Sequence, residues 1–124
     1  MNIFEYIKTG NLEALESLVK ANPEVVNQPD HRGFTPLILA TYANNPEVTK
    51  ILFKHGANVN QQDAAGNTAL MGVCFKGNTA LARLLLQNGA NVNLRNSQNG
   101  TALSYANQFG QQEIAKLLIE SGAV

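Results

Sequence analysis

The groups capable of chemistry in this chain are few: two histidines, one cysteine, and nine acidic side chains set against nine basic ones. An active site is recognised when several such groups converge in one geometry. His31 lies in a turn beside Asp30 and Arg32, whereas His55 lies at the C-terminal end of an expected helix, where a cationic ring meets the favourable end of the dipole. Both read as surface or capping residues. Cys74 could serve as a nucleophile only as a thiolate, and no neighbour in its segment would lower its pKa, so a packed thiol is expected. A single cysteine permits neither an intrachain disulfide framework nor a cysteine-based zinc site. Glu47 and Glu113 stand three residues before Lys50 and Lys116 in the first turns of expected helices. Helix-dipole and ion-pair support explains that spacing better than acid–base work. No lysine follows the glycines in the Walker pattern, so they do not form a phosphate loop. Asn99-Gly100-Thr101 fits the glycosylation pattern, but with no secretion signal beside it the triplet reads as a turn and helix cap. No catalytic residues, metal or cofactor are expected.

The elements that carry these residues follow a period. Ala64 to Asn96 reads AAGNTALMGVCFKGNTALARLLLQNGANVNLRN. Its Thr68, Leu70, Leu85, Gly89, Ala90, Asn91, Val92 and Asn93 recur 33 residues earlier as Thr35, Leu37, Leu52, Gly56, Ala57, Asn58, Val59 and Asn60. Thr101, Leu103, Leu118, Gly122 and Ala123 keep the register 33 residues later. A repeat of this length marks stacked units, each unable to bury its apolar face alone. The chain divides into a worn first copy at 1–30, full copies at 31–63 and 64–96, and a last copy at 97–124.

Each copy predicts the same parts. In the second, Gly33 gives the turn its freedom and Thr35 caps a helix whose first position is Pro36. That helix is expected over 36–43, with a break at Asn44 and Asn45 and a second helix over 46–54 that buries Val48, Ile51 and Leu52. Gly56 ends it, and residues 57–62 form an extended arm. The third copy predicts helices over 69–76 and 79–88 with the stripe Leu81, Leu84 and Leu85; the fourth predicts helices over 102–109 and 112–121. In the first copy Ile3, Phe4 and Ile7, then Leu12, Leu15, Leu18 and Val19, give two short stripes joined at Gly10. The offset there is 34, and the extra residue is expected in a loop over 21–24, where Pro23 stops the helix. The periodic asparagines read as turn chemistry.

The segments Gly33-Phe34-Thr35-Pro36-Leu37 and Gly66-Asn67-Thr68-Ala69-Leu70, with the endings Gly56-Ala57-Asn58-Val59-Asn60 and Gly89-Ala90-Asn91-Val92-Asn93, carry a resemblance. The chain resembles the ankyrin-repeat family over essentially its whole length. The resemblance implies an all-α repeat, an α-solenoid of antiparallel helix pairs, with projecting β-turn fingers and a concave groove lined by the fingers and first helices. It also implies capping repeats at both ends. Where the family typically reads T-P-L-H, the histidine position holds Ile38, Met71 and Ser104, which points to apolar packing in the first two and a weaker polar contact in the third. Ser104, Asn107, Gln108, Gln111 and Gln112 make the last copy more polar, as an end that meets water requires. The end of the chain close after Gly122 is expected to close a complete small protein.

Composition narrows the partner. Zero net charge leaves no positive field to hold a phosphate backbone or an anionic membrane surface, and no segment has the pattern of a signal peptide or a membrane span, so the cytoplasm is the default location. Partners of ankyrin-like proteins are usually gripped by finger positions and by the ends of the first helices. Mapped onto this sequence, those positions are His31, Arg32 and Phe34; Ala64, Ala65 and Asn67; Ser97, Gln98 and Gly100; then Lys8 and Thr9, Tyr42 and Ala43, Phe75 and Lys76, Gln108 and Phe109. The candidate partner-binding set is His31, Arg32, Phe34, Tyr42, Phe75, Lys76, Gln108 and Phe109. Phe34, Tyr42, Phe75 and Phe109 are half of the eight aromatics, a concentration hard to ascribe to a core. Exposed aromatics cost solubility, and aromatic and Arg residues dominate interface hot spots. The expectation is a groove centred on Tyr42 and Phe75 with Arg32 and Lys76 at its polar rim, the alternative being rings tucked between copies. The functional expectation is a non-enzymatic, monomeric module that binds a protein partner through this groove. An inhibitor or immunity-type protein capping one enzyme or toxin, and a self-associating structural protein that forms a homodimer, are the alternatives.

Overall fold

In the computed structural model, which describes residues 2–124, eight α-helices form antiparallel pairs. They are α1 (Ile3–Thr9) with α2 (Leu12–Ala21), α3 (Pro36–Tyr42) with α4 (Pro46–Lys54), α5 (Ala69–Lys76) with α6 (Thr79–Gln87), and α7 (Ala102–Gln108) with α8 (Gln112–Glu120). Local chemistry sets these limits. Thr35, Thr68 and Thr101 each accept the backbone N–H three residues on, at 3.1, 3.3 and 3.1 Å, so every first helix after α1 opens on a satisfied cap. Asn11, Asn45 and Asn78 cap the second helices of the first three copies in the same way, at 3.1, 3.1 and 3.0 Å, whereas Gln111 before α8 makes no side-chain cap. Between the helices of a pair the chain passes through the left-handed region, and at Asn44 (φ 56°) an asparagine takes the place glycine holds in the other copies.

The first helices pack in a row, α1 on α3 on α5 on α7, while α2 packs on α4 and α6 on α8. Their shared core repeats with the sequence. Ala40, Val73 and Ala106 are fully buried small residues in the first helices; Leu52, Leu85 and Leu118 are fully buried in the second. Met71 is buried and Ile38 half-buried, whereas Ser104 Oγ accepts from Thr101 N at 2.9 Å to complete a capping box.

Three details differ from the sequence expectation. The segment 21–24 is not a simple loop: Pro23–Asn27 forms a 3₁₀ turn, with Pro at a position where its missing N–H costs nothing. The arm over 57–62 contains a turn at Val59 and Asn60, held by Asn58 Oδ1 accepting from Asn60 N at 3.0 Å. Asn91 repeats that turn with Asn93 N at 3.0 Å, but Asn27, Asn60 and Asn93 bridge copies instead of closing turns. Asn27 accepts from Asn58 N (2.7 Å) and donates to Gly56 O (3.0 Å). Asn60 repeats the pattern with Asn91 N and Gly89 O, and Asn93 with Val124 N and Gly122 O. Each amide satisfies one donor and one acceptor of the next copy, which fixes neighbouring copies in one geometry. No helix among the described residues is long and apolar enough to cross a membrane.

A second bridge joins the first two copies. Glu16 on α2 accepts from Lys54 Nζ at 2.9 Å and meets His55 Nε2 at 2.8 Å. His55, expected as a surface or capping residue, is therefore half-buried and tied to the preceding copy. The His55 and Lys54 hydrogen bonds hold the Glu16 carboxyl at about 2, against an ordinary 4.5. Because the folded-state pKa is depressed, the stabilisation is present above about pH 4.5 and is lost as pH falls towards 2. Wild type is expected to melt above Glu16→Gln at neutral pH, and the two melting curves, followed by circular dichroism, should converge across that window.

Candidate partner-binding groove

The fingers are shaped by a residue the sequence reading passed over. Asp30, Asp63 and Asn96 each turn a side-chain oxygen back onto two backbone N–H groups of their own finger. Asp30 Oδ1 accepts from Arg32 N (2.9 Å) and Phe34 N (3.0 Å). Asp63 Oδ1 accepts from Ala65 N and Asn67 N, both at 2.9 Å, and Asn96 Oδ1 from Gln98 N (3.0 Å) and Gly100 N (2.8 Å). Partial burial works against the ionised Asp30, but the Phe34 N–H and the Arg32 side chain and N–H outweigh it and hold the carboxyl below its ordinary range. The available signal was Asp, Asp and Asn at the repeat period, three residues before a left-handed Gly33, Gly66 or Asn99. At Gly66 the backbone freedom is also spatial, since a Cβ there would lie 2.9 Å from Asn96 Cα of the next finger.

Opposite the fingers, the ends of the first helices present a continuous aromatic strip. Tyr42 and Phe75 lie in the last turns of α3 and α5, and Phe109 follows α7. They are 49%, 50% and 41% exposed. Tyr42 and Phe75 are parallel with centroids 6.3 Å apart, Phe75 meets Phe109 edge to face at 5.0 Å, and Phe109 lies 6.4 Å from Tyr105. Between strip and fingers runs an open groove of about 580 Å³, lined by Arg32, Phe34, Leu39 and Tyr42 from one copy, Asn67, Met71 and Phe75 from the next, and Tyr105 and Phe109 from the last.

Five of the eight expected residues line this groove: Arg32, Phe34, Tyr42, Phe75 and Phe109. Lys76 is not among the residues that line the groove, but it stands beside one of them. Its ammonium lies 4.5 Å above the Tyr42 ring. Arg32 likewise lies over a ring, 4.9 Å from the Phe34 centroid, and is paired with Asp30 at 3.0 Å. His31 belongs to an adjoining open groove of about 430 Å³ beside α1, with Lys8 and Tyr42. Gln108 is exposed and lines neither groove, although it holds the repeat position of Tyr42 and Phe75. The ring that completes the strip comes instead from the capping residue Phe109, which holds the repeat position of Lys76.

Tyr105, Met71 and Leu39 were not among the expected groove residues. The signal for Tyr105 was a size exchange. Gly100 stands where the other fingers carry Phe34 and Asn67, and a side chain there would collide with the Tyr105 phenol, which hydrogen-bonds Asn96 Nδ2 at 2.7 Å.

The reactive groups do not converge. Burial pushes the Cys74 thiol up to about 12, which leaves it protonated and apolar in character. Glu113 pairs with Arg83 of the preceding copy at 3.4 Å and not with Lys116 as its spacing implied, while Glu47 and Lys50 are 4.0 Å apart in water. No group of three His, Cys, Asp or Glu side chains that could hold a metal occurs among the described residues. What the arrangement offers is a preformed apolar contact surface.

Comparison with known proteins agrees with the architecture. A family model described as ankyrin repeats (3 copies) matches residues 3–63 and again 56–124. Over 58 residues the chain is 34% identical to the human (Homo sapiens) protein named DNA-binding protein RFXANK, an alignment that covers 47% of this chain and 22% of that protein. The chain thus spans less than a quarter of the length of this relative.

Proposed function

This chain belongs to the ankyrin-repeat family, and we propose that it is a non-enzymatic cytoplasmic module that holds a protein partner in the groove between its fingers and first helices. The division into capping copies at 1–30 and 97–124 around two full copies is part of the same reading. One observation carries it: three consecutive rings, Tyr42, Phe75 and Phe109, touch one another while about half of each faces water. Rings in such a position offer large contact area at little ordering cost, and the capped helices and bridging asparagines leave the surface little freedom to lose on binding. The human relative's name speaks of DNA; here the zero net charge and the apolar lining favour protein over a phosphate backbone.

A photo-crosslinking benzoylphenylalanine placed at Phe75, or at the exposed Ala80 on α6, tests the face used. In native extract the first position is expected to give a crosslinked protein that the second does not. Equal crosslinking from both positions, or from Ala80 alone, overturns the reading.

A further inference from the structure

We infer that the segment this groove takes from its protein partner carries a carboxylate beside its apolar side chains, and that Lys76 receives it; the inference rests on the groove function proposed above. Aromatic rings ordinarily draw cations onto their faces. In this groove the chain has already done so. Lys76 Nζ occupies the Tyr42 face at 4.5 Å, and the Arg32 guanidinium occupies the Phe34 face at 4.9 Å. Phe75 lies parallel to Tyr42 and meets Phe109 edge to face, so the strip spends much of its remaining face area on itself. A partner's ammonium or guanidinium would find those two faces filled and two cations beside it.

The carboxylates that could reverse this balance are turned inward. Asp30 and Asp63 each accept two N–H groups of their own finger, and Asp30 also binds Arg32 through Nη2 at 3.0 Å and Nε at 3.3 Å. Arg32 is thereby compensated. Lys76 has no carboxylate within ion-pairing distance among the described residues, and it is exposed. Glu5, Lys8 and His31 belong to the adjoining groove beside α1, and Asp63, which lines this groove, spends its carboxylate on Ala65 N and Asn67 N, so the cation on the aromatic strip without a carboxylate partner is Lys76. Its complement is an anion next to an apolar contact, an arrangement that selects partners more than it adds bulk affinity.

Random dodecapeptides displayed on phage, selected against the immobilised full chain and in parallel against Lys76→Glu and Lys76→Gln, test this. Thermal melts of each variant establish that it is folded. On wild type, the selected peptides are expected to join Asp or Glu to Leu, Ile or Phe. Lys76→Glu should turn the enrichment to Lys and Arg, and Lys76→Gln should remove the charge preference. A synthetic peptide chosen on wild type should bind Lys76→Gln roughly two- to fivefold more weakly, as one exposed ion pair allows. Wild-type peptides without acidic enrichment, or an acidic enrichment that persists on Lys76→Glu, overturn the inference. Rebinding to Tyr42→Ala/Phe75→Ala separates the two levels. Acid-free peptides that lose binding there leave the groove function standing and remove the carboxylate. Peptides that bind the double variant as well as wild type remove both.

Discussion

Leu85→Ala is expected to lower the unfolding free energy by about 2–5 kcal/mol, the range for emptying a leucine site in a core that cannot collapse. Leu85 is fully buried on α6, in the same repeat position as Leu52 and Leu118, which are also fully buried. In a stack each copy touches only its neighbours, so a cavity in an inner copy weakens contacts on both sides. The backbone around it has little room to relax, because Asn60 and Asn93 tie this copy to those before and after. Against a total stability of about 5–15 kcal/mol such a loss is large, and it corresponds to a fall in Tm on the order of 10–20 °C. Leu84, its half-buried neighbour, should tolerate the same truncation with a smaller loss. Urea unfolding followed by circular dichroism gives both values; a Leu85→Ala change below about 1 kcal/mol would mean that the site repacks.

Tyr42→Ala with Phe75→Ala is expected to do the reverse, sparing the fold and removing the partner. Each ring is about half exposed, and their stacking and edge contacts are worth about 0.5–1.5 kcal/mol per pair, a loss the core can absorb. Aromatic rings that act as interface hot spots cost about 2 kcal/mol or more apiece when truncated, which over two such rings is a loss in affinity of roughly a thousandfold. Lys76 loses its ring support in the same variant, since its ammonium rests on Tyr42. The two truncations thus separate what folds the chain from what the chain holds: Leu85→Ala should bind normally at temperatures where it remains folded.

The helices were legible because their determinants are local. Thr35 before Pro36 and Asn45 before Pro46 write a cap and a first turn into adjacent residues, and α4 lies over the predicted span. What joins the copies was not legible, because it depends on pairs about one period apart that share no local pattern. Glu16 and His55 are 39 residues apart, and Arg83 and Glu113 are 30. Asn27, Asn60 and Asn93 carried a visible period, yet whether an asparagine closes its own turn or reaches the next copy depends on where the neighbouring backbone lies. The groove followed the same division. Tyr42 and Phe75 stood out as aromatics at the positions where ankyrin-like proteins grip partners, and the structure leaves both half in water. Lys76 over the Tyr42 ring depends on a contact across copies; Gln108 and Phe109 were both expected at the groove, and Phe109 is the one that lines it.

Affinity capture from native cell extract, run side by side with the wild type and with Tyr42→Ala/Phe75→Ala, bears most directly on the function. Wild type should retain a protein that the double variant does not, while the melting temperatures of the two differ by only a few degrees. The same protein retained at the same level by the folded double variant would contradict a partner-binding aromatic groove.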